Sequence, residues 1–347
     1  MFPAPEVDVA IVSTGTQGRV AILIHVPASS AAPHAVRKEH DLRYFVRDGE
    51  RKRPLSESEV RNLYRLRFSV ARDQDQRLSE VFQRGSAKVS RADFGWICLA
   101  VVPSIPVDAL LSIERVSAIE NAIREYQRAK ATPLGALRGL PLEFSPSVRR
   151  VEVADSRVSS NLCLQLYLDG AAFGAMRAVL PVQHALIGGP DAPDDAQQWH
   201  VGDELAVCVM IDLLGVFSQH MIEVGAGGDA VSRVGILFER PGLNASKAVA
   251  LSSERTMLGG ALSGSRWTRE FEAADRSIAL VPLQQTLARE FMLTARLLLG
   301  DLLSNFGLVA PLQVSADGAL VLQQFVGRHQ RVMLDWARQV GIDVLEA

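Results

Sequence analysis

A short stretch between residues 43 and 53 contains the side chains best suited to chemistry. Arg43 and Arg47 flank three apolar or aromatic residues, and a basic tripeptide follows after an Asp-Gly turn. Guanidinium groups pair with phosphate oxygens, and the turn and a helix N-terminus beyond it would add backbone N–H donors. The stretch therefore predicts a binding site for a phosphate-rich anion. The predicted site residues are Arg43, Arg47, Gly49, Arg51, Lys52 and Arg53.

The charge is distributed unevenly along the chain. Its 347 residues include 37 Lys and Arg against 39 Asp and Glu, which gives a net charge of -2. Residues 37–72 nevertheless contain 11 basic and 6 acidic residues, a local excess of +5. Such asymmetry favours an anionic partner such as nucleic acid, and a solvated charged surface is the alternative.

The elements that precede the basic stretch are predicted to be strands. Residues 7–12 and 19–26 have the pattern of a β-hairpin. The second of these runs is nearly all apolar, which indicates a strand that is buried on both faces. Residues 35–37 are predicted to form a further short strand.

The basic stretch itself is predicted to lie between a strand and a helix. Residues 43–47 read as the strand, and neighbouring side chains on a strand point to opposite faces. At most one of Tyr44 and Phe45 is therefore available to stack on a nucleic-acid base, and packing in the core is the favoured role for each. The helix is predicted to begin at Ser56, because Ser56 and Glu59 have the spacing of a capping box.

Four short pieces follow one another in a characteristic order within residues 1–68. They are ILIHVP at 22–27, Pro33-His34, RYFVRDGE at 43–50 and RPLSESEVRNL at 53–63. In this order they resemble the C-terminal half of the Schlafen AlbA-type domain, a DNA-binding domain family. The resemblance covers about a fifth of the chain. It implies nucleic-acid or nucleotide binding by residues 1–68.

The acidic opening strand that is usual in this family does not precede the matching pieces. The carboxylates that confer nuclease activity on some relatives would lie upstream of Met1. The resemblance therefore does not extend to nuclease activity, and no catalytic residue is assigned. Whether the chain is an enzyme is left open, with a non-enzymatic role favoured.

The rest of the chain has the pattern of an α+β protein. Residues 1–68 are expected to be a partial Schlafen AlbA-type module with a short mixed sheet. The polar residues 69–90 are predicted to be a linker, and residues 91–347 a larger α+β domain of unknown type. Long helices in this domain are predicted at 203–224, 284–306 and 320–340.

Other kinds of site find little support in the sequence. Cys98, Cys163 and Cys208 lack the spacing of a zinc or redox motif, so no metal site or cofactor is predicted. A Walker-type Gly-Lys-Ser/Thr motif and a Gly-x-Ser-x-Gly motif are both absent. No window of 18 uncharged apolar residues predicts a membrane span. Buried thiols fit a cytoplasmic protein.

These patterns together predict a cytoplasmic protein that holds nucleic-acid phosphates with a basic loop. DNA is favoured over RNA, and the expected role is transcriptional regulation or defence. The alternative is a non-catalytic interaction protein with a vestigial first domain. In that alternative the long apolar helices build a homo-oligomer.

Overall fold

The computed structural model divides the chain into two compact units, Met1–Gln76 and Arg77–Ala347. Both helices and strands contribute, so the α+β class predicted from the sequence is confirmed. The structure describes residues 8–13, 20–25, 32–38, 41–48, 51–89, 95–107, 109–157, 161–181, 197–237, 247–252, 266–268, 271–279 and 289–345.

The first unit contains a two-stranded antiparallel sheet. Its strands are β1 (Asp8–Ser13) and β2 (Val20–His25), which pair as the predicted hairpin. The prediction that the second strand is buried on both faces is wrong. Val20, Ile22, Leu23 and Ile24 are each at least 60% exposed, because no further element packs on them within the described part of this unit.

A second antiparallel sheet of the first unit contains the basic stretch. Its order is β3 (Ala35–Lys38), β4 (Asp41–Asp48) and β5 (Arg51–Pro54). The basic tripeptide was predicted to lie in a loop, and it instead forms most of β5. Lys and Pro are typical of an edge strand, and β5 pairs on one side only.

Helix α1 (Glu57–Ser86) follows this sheet and begins as predicted. The backbone N–H of Glu59 donates to Ser56 Oγ, and the N–H of Ser56 donates to the Glu59 carboxylate at 2.8 Å, which closes the capping box. In place of the predicted linker at 69–90, the helix runs on unbroken to Ser86. The polar residues in this part of the helix lie on its solvent side, because Leu78, Val81 and Phe82 form a buried stripe at helical spacing.

The second unit contains twelve named strands and four further helices among its described residues. The helices are α2 (Ile113–Ala129), α3 (Asp203–Val224), α4 (Arg289–Ser304) and α5 (Gly327–Val340). The strands are β6 (Gly95–Pro103), β7 (Leu142–Ser147), β8 (Arg150–Asp155), β9 (Leu162–Tyr167), β10 (Ala172–Pro181), β11 (Gln197–Gly202), β12 (Asp229–Leu237), β13 (Lys247–Ser252), β14 (Arg266–Thr268), β15 (Ala274–Ala279), β16 (Leu320–Val321) and β17 (Val344–Leu345).

Ten of these strands form one branched sheet. Its main path is β14-β13-β11-β10-β6-β12-β15, and the meander β7-β8-β9 joins it at β10. All pairings in the sheet are antiparallel except that of β11 with β13. Side chains alternate between the two faces of a strand, so successive residues of β6 pack in two different cores. Ile97, Leu99 and Val101 belong to the core that contains α2, α3 and α4, and Cys98, Ala100 and Val102 to the core beneath the end of α1.

Helix α3 is the centre of the larger core. Most of its residues are buried on every side, as expected for a helix without a polar face. Among the described helices it is the one long and apolar enough to cross a membrane, but 83% of its apolar window is buried inside the protein. The prediction that the long apolar helices form a surface between copies does not hold for α3, because the fold of its own chain covers it.

Candidate nucleic-acid interface

The predicted site residues lie on both faces of the sheet β3-β4-β5. In the antiparallel register, Arg47 is opposite Lys52, and Val46 is opposite Arg53. Since side chains alternate along a strand, Arg43, Arg47 and Lys52 share one face with Phe45, whereas Arg51 and Arg53 belong to the other. We call the first of these the cationic face, and it consists of Arg43, Phe45, Arg47 and Lys52.

The cationic face brings positive charges together around an aromatic ring. Arg47 and Lys52 occupy directly opposed positions, where Cβ atoms are about 5 Å apart in an antiparallel pair. Lys52 Nζ lies 4.0 Å from the centroid of the Phe45 ring, within the range of a cation–π contact. Arg43 lies two residues before Phe45, and Arg43, Arg47 and Lys52 are all exposed. The contact between Phe45 and Lys52 is not evident from the sequence, because it depends on the pairing of β4 with β5.

Arg43 has an acidic neighbour on the same face. Its Nη2 lies 3.3 Å from Asp41 Oδ2, and both side chains are more than half exposed. An ion pair so exposed contributes at most about 1 kcal/mol and weakens with salt. A phosphate can therefore replace Asp41 as the partner of Arg43.

The opposite face of this sheet packs against helix α1. The hydroxyl groups of Tyr44 and Tyr64 are 2.9 Å apart, and their rings meet edge to face. This hydrogen bond and partial burial raise the pKa of Tyr44. Tyr44 therefore lies against α1, and Phe45 lies on the opposite face of the sheet.

Arg53 is held by a carboxylate of its own chain. Its Nη1 and Nη2 donate to the two oxygens of Glu59 at 3.0 and 2.7 Å. Glu59 also accepts from the backbone N–H and the hydroxyl of Ser56, both at 2.8 Å. The pKa of Glu59 falls to about 2, mainly because of Arg53 and then because of Ser56. The backbone N–H of Ser56 at the predicted phosphate-binding helix start therefore already donates to Glu59.

Two of the predicted residues add less to the site. Arg51 is exposed and lies opposite Asp48 in the register, on the same side of the sheet as Arg53. Gly49 lies outside the residues that the structure describes. The structure therefore brings together three of the six predicted residues, places two on the other face and leaves Gly49 undescribed.

A carboxylate buried in the second unit is a separate candidate for chemistry. Asp212 of α3 accepts from the backbone N–H of Thr132 at 2.8 Å and from its hydroxyl at 3.0 Å. Burial raises the pKa of Asp212 to about 7 despite these two hydrogen bonds. The neighbouring thiol of Cys208 is also buried, and its pKa is raised, chiefly by desolvation. This group ties the chain after α2 to α3, and its complete burial favours a structural role.

A second polar pair joins α3 to α5. His329 Nδ1 lies 2.6 Å from one oxygen of Glu204, whose other oxygen accepts the backbone N–H of Val326. Glu204 thus satisfies an orphan donor at the start of α5. His329 Nε2 accepts a hydrogen bond from Arg328 rather than facing a nucleophile. The pair therefore fixes the helix start.

The described residues contain no group of three or more His, Cys, Asp or Glu side chains arranged to hold a metal ion. Comparison of the chain with protein-family models, with curated proteins and with solved structures found no significant match.

Proposed function

We propose that the chain binds nucleic acid through the cationic face of the sheet β3-β4-β5. The observation that carries this proposal is the direct opposition of Arg47 and Lys52 on paired strands. Opposed positions of an antiparallel pair bring the two cationic side chains within reach of one anion. A phosphate of a polyanion placed between them would accept charge-assisted hydrogen bonds from both.

The exposure of the cationic face supports binding of the phosphate backbone of a nucleic acid. Arg43, Arg47 and Lys52 are all exposed, and successive residues on one face of β4 are about 7 Å apart. Cations in a row suit a row of phosphates, and contacts of this type do not depend on base sequence. Phe45 lies half-buried beside them, and its ring makes the cation–π contact with the Lys52 ammonium. The resemblance of residues 1–68 to a DNA-binding family favours DNA over RNA.

The test is a fluorescence-anisotropy titration of labelled 20-nucleotide DNA and RNA at several salt concentrations. Arg47→Ala and Lys52→Ala should each weaken binding roughly 10- to 100-fold for every sequence, since each removes a charged hydrogen bond. Each should also reduce the slope of log affinity against log salt by about 1. The slope distinguishes lost phosphate contacts from other defects.

Two matched controls remove the same charge elsewhere in the first unit. Arg53→Ala removes a cation from the opposite face of β5, and Arg61→Ala removes one that pairs with Glu57 on α1. Both should leave the salt slope close to that of the unchanged protein. Absence of binding by the unchanged protein would refute the proposal. Equal losses in the controls and in the Arg47 and Lys52 variants would show that the cationic face has no special part.

A further inference from the structure

The hairpin β1-β2 has one face made of β-branched apolar residues except at Ser13, whose position lies opposite Val20 at the last pairing of the hairpin. In its register Val9 is opposite Ile24 and Ile11 is opposite Ile22, and Val20 follows on the same side. We call this the β-branched face, and it consists of Val9, Ile11, Val20, Ile22 and Ile24. None of the five carries a polar group that would have to lose its hydration on contact.

The β-branched face is strongly exposed. The exposed fractions of its five residues lie between 60% and 72%. An isolated two-stranded hairpin is at best marginally stable in water, and contiguous apolar patches mark interaction surfaces. The hairpin therefore requires a partner surface that is itself apolar and free of charge.

We propose that the β-branched face packs against the same face of a second copy of this chain. Each exposed Val or Ile side chain can remove roughly 100 Å² from water. Five of them give about 500 Å² for each copy and about 1,000 Å² for the pair, which reaches the lower limit for a biological interface. A pair of identical faces satisfies the apolar requirement on both sides through a twofold axis.

The shape of the face also suits self-association. Val and Ile side chains are stiff at χ1 and stand out from a pleated sheet, so two such faces interdigitate with little loss of rotamer freedom. The reverse side of the hairpin carries Ala21 between Val12 and Leu23, and it offers a smaller apolar area. The interface is therefore expected on one face only.

Adjacent residues of β2 provide a matched pair of variants. Ile22 and Leu23 are 64% and 62% exposed and lie on opposite faces of the hairpin. Light scattering after size exclusion, from about 1 to 100 μM, should show a dimer of the 37.7 kDa chain at the upper concentrations. Ile22→Lys should give the monomer mass throughout, whereas Leu23→Lys should dimerise like the unchanged protein.

A second measurement does not depend on a disruptive charge. Ile22→Cys should be joined into covalent dimers by a short bismaleimide, and Leu23→Cys should not exceed the background of the unchanged protein. A monomeric unchanged protein at 100 μM would overturn the proposal, whether the face is covered within the chain or by another protein. Dimers that persist in Ile22→Lys, or equal crosslinking at the two positions, would overturn it as well.

Discussion

Arg53 and Glu59 form a two-point ion pair that joins the end of β5 to the first turn of α1, with N–O distances of 3.0 and 2.7 Å. Two-point pairing of a guanidinium with a carboxylate fixes the orientation of both groups. Glu59 simultaneously completes the capping box with Ser56. Arg53 is therefore expected to contribute to the folding of the first unit and not to ligand affinity.

The first prediction concerns the pKa of Glu59. Arg53 is the largest cause of its fall to about 2, so Arg53→Ala should move the pKa well back towards the ordinary value of 4.5. The carboxyl signal in an NMR titration measures it directly. Arg61→Ala is the control, because Arg61 pairs with Glu57 and not with Glu59. A pKa that stays near 2 in Arg53→Ala would mean that Ser56 alone holds the carboxylate.

The ion pair of Arg53 with Glu59 also makes the stability of the protein depend on pH in acid. The pKa of Glu59 is lower in the folded than in the unfolded chain, so its contribution to stability is present above pH 4.5. That contribution is lost as the pH falls towards 2. Ser56→Ala removes a hydroxyl that donates to Glu59 and helps to lower its pKa, so the same NMR titration should show Glu59 protonating at a higher pH than in the unchanged protein.

The second prediction concerns two buried groups whose effects on stability oppose each other. Burial raises the pKa of Asp212 to about 7, so its contribution to stability is full below pH 3.8 and is lost as the pH rises through 7. Burial lowers the pKa of His220 to about 4 from 6.5, so its contribution is present above pH 6.5 and is lost as the pH falls through 4. Between pH 4 and 6.5 the two slopes cancel.

Single substitutions should separate the two slopes. Relative to the unchanged protein, the free energy of unfolding of Asp212→Asn should rise by about 1.4 kcal/mol per pH unit between pH 4 and 7. Relative to the unchanged protein, the free energy of unfolding of His220→Gln should fall at a similar rate between pH 4 and 6.5. The amide of the introduced Gln can still donate a hydrogen bond to the Tyr167 carbonyl. Urea unfolding at half-unit pH steps measures both. Parallel profiles for the three proteins would contradict the assignment.

Local signals in the sequence predicted several elements well. The capping box fixed the start of α1 at Ser56 because its hydrogen bonds are made within one turn of chain. Asp169-Gly170, a sequence typical of turns, connects β9 to β10, and Gly170 has a φ of +88° that favours glycine. Helix α3 has the predicted bounds, Asp203 to Val224, and ends at Gly225 in the left-handed region.

The candidate site was harder to predict, since it depends on pairing between strands. The sequence placed cations close together along the chain, and only the register of β4 with β5 separates Lys52 from its neighbours Arg51 and Arg53. Burial of β2 could not be predicted either. Its apolar run is typical of a buried strand, but the pattern does not say which surface, if any, covers it. Residues 69–90 were predicted to be a linker from their polar composition, with a short helix inside it indicated by Leu78, Val81 and Phe82. The helix is instead continuous from Glu57 to Ser86, because a long helix at a surface needs to bury only one side.

The last prediction concerns the close approach of α2 and α3. A Cβ at Gly215 would overlap the ring of Tyr126, whose hydroxyl donates to the Ile211 carbonyl at 3.3 Å. Ala is favoured over Gly in a helix by about 1 kcal/mol, but overpacking costs about 1–3 kcal/mol, and the buried ring of Tyr126 has no solvent to move into. Gly215→Ala should therefore destabilise the protein in urea unfolding.

Gly139 provides the control for this substitution, because a Cβ there meets no atom within 4 Å. Gly139→Ala should leave stability unchanged or raise it slightly, since Ala restricts the unfolded chain. A double-mutant cycle then tests the cause. In a Tyr126→Ala background the space beside Gly215 is open, so Gly215→Ala should cost much less there than in the unchanged protein. An equal cost in both backgrounds would mean that the overlap with Tyr126 does not set the spacing of the two helices.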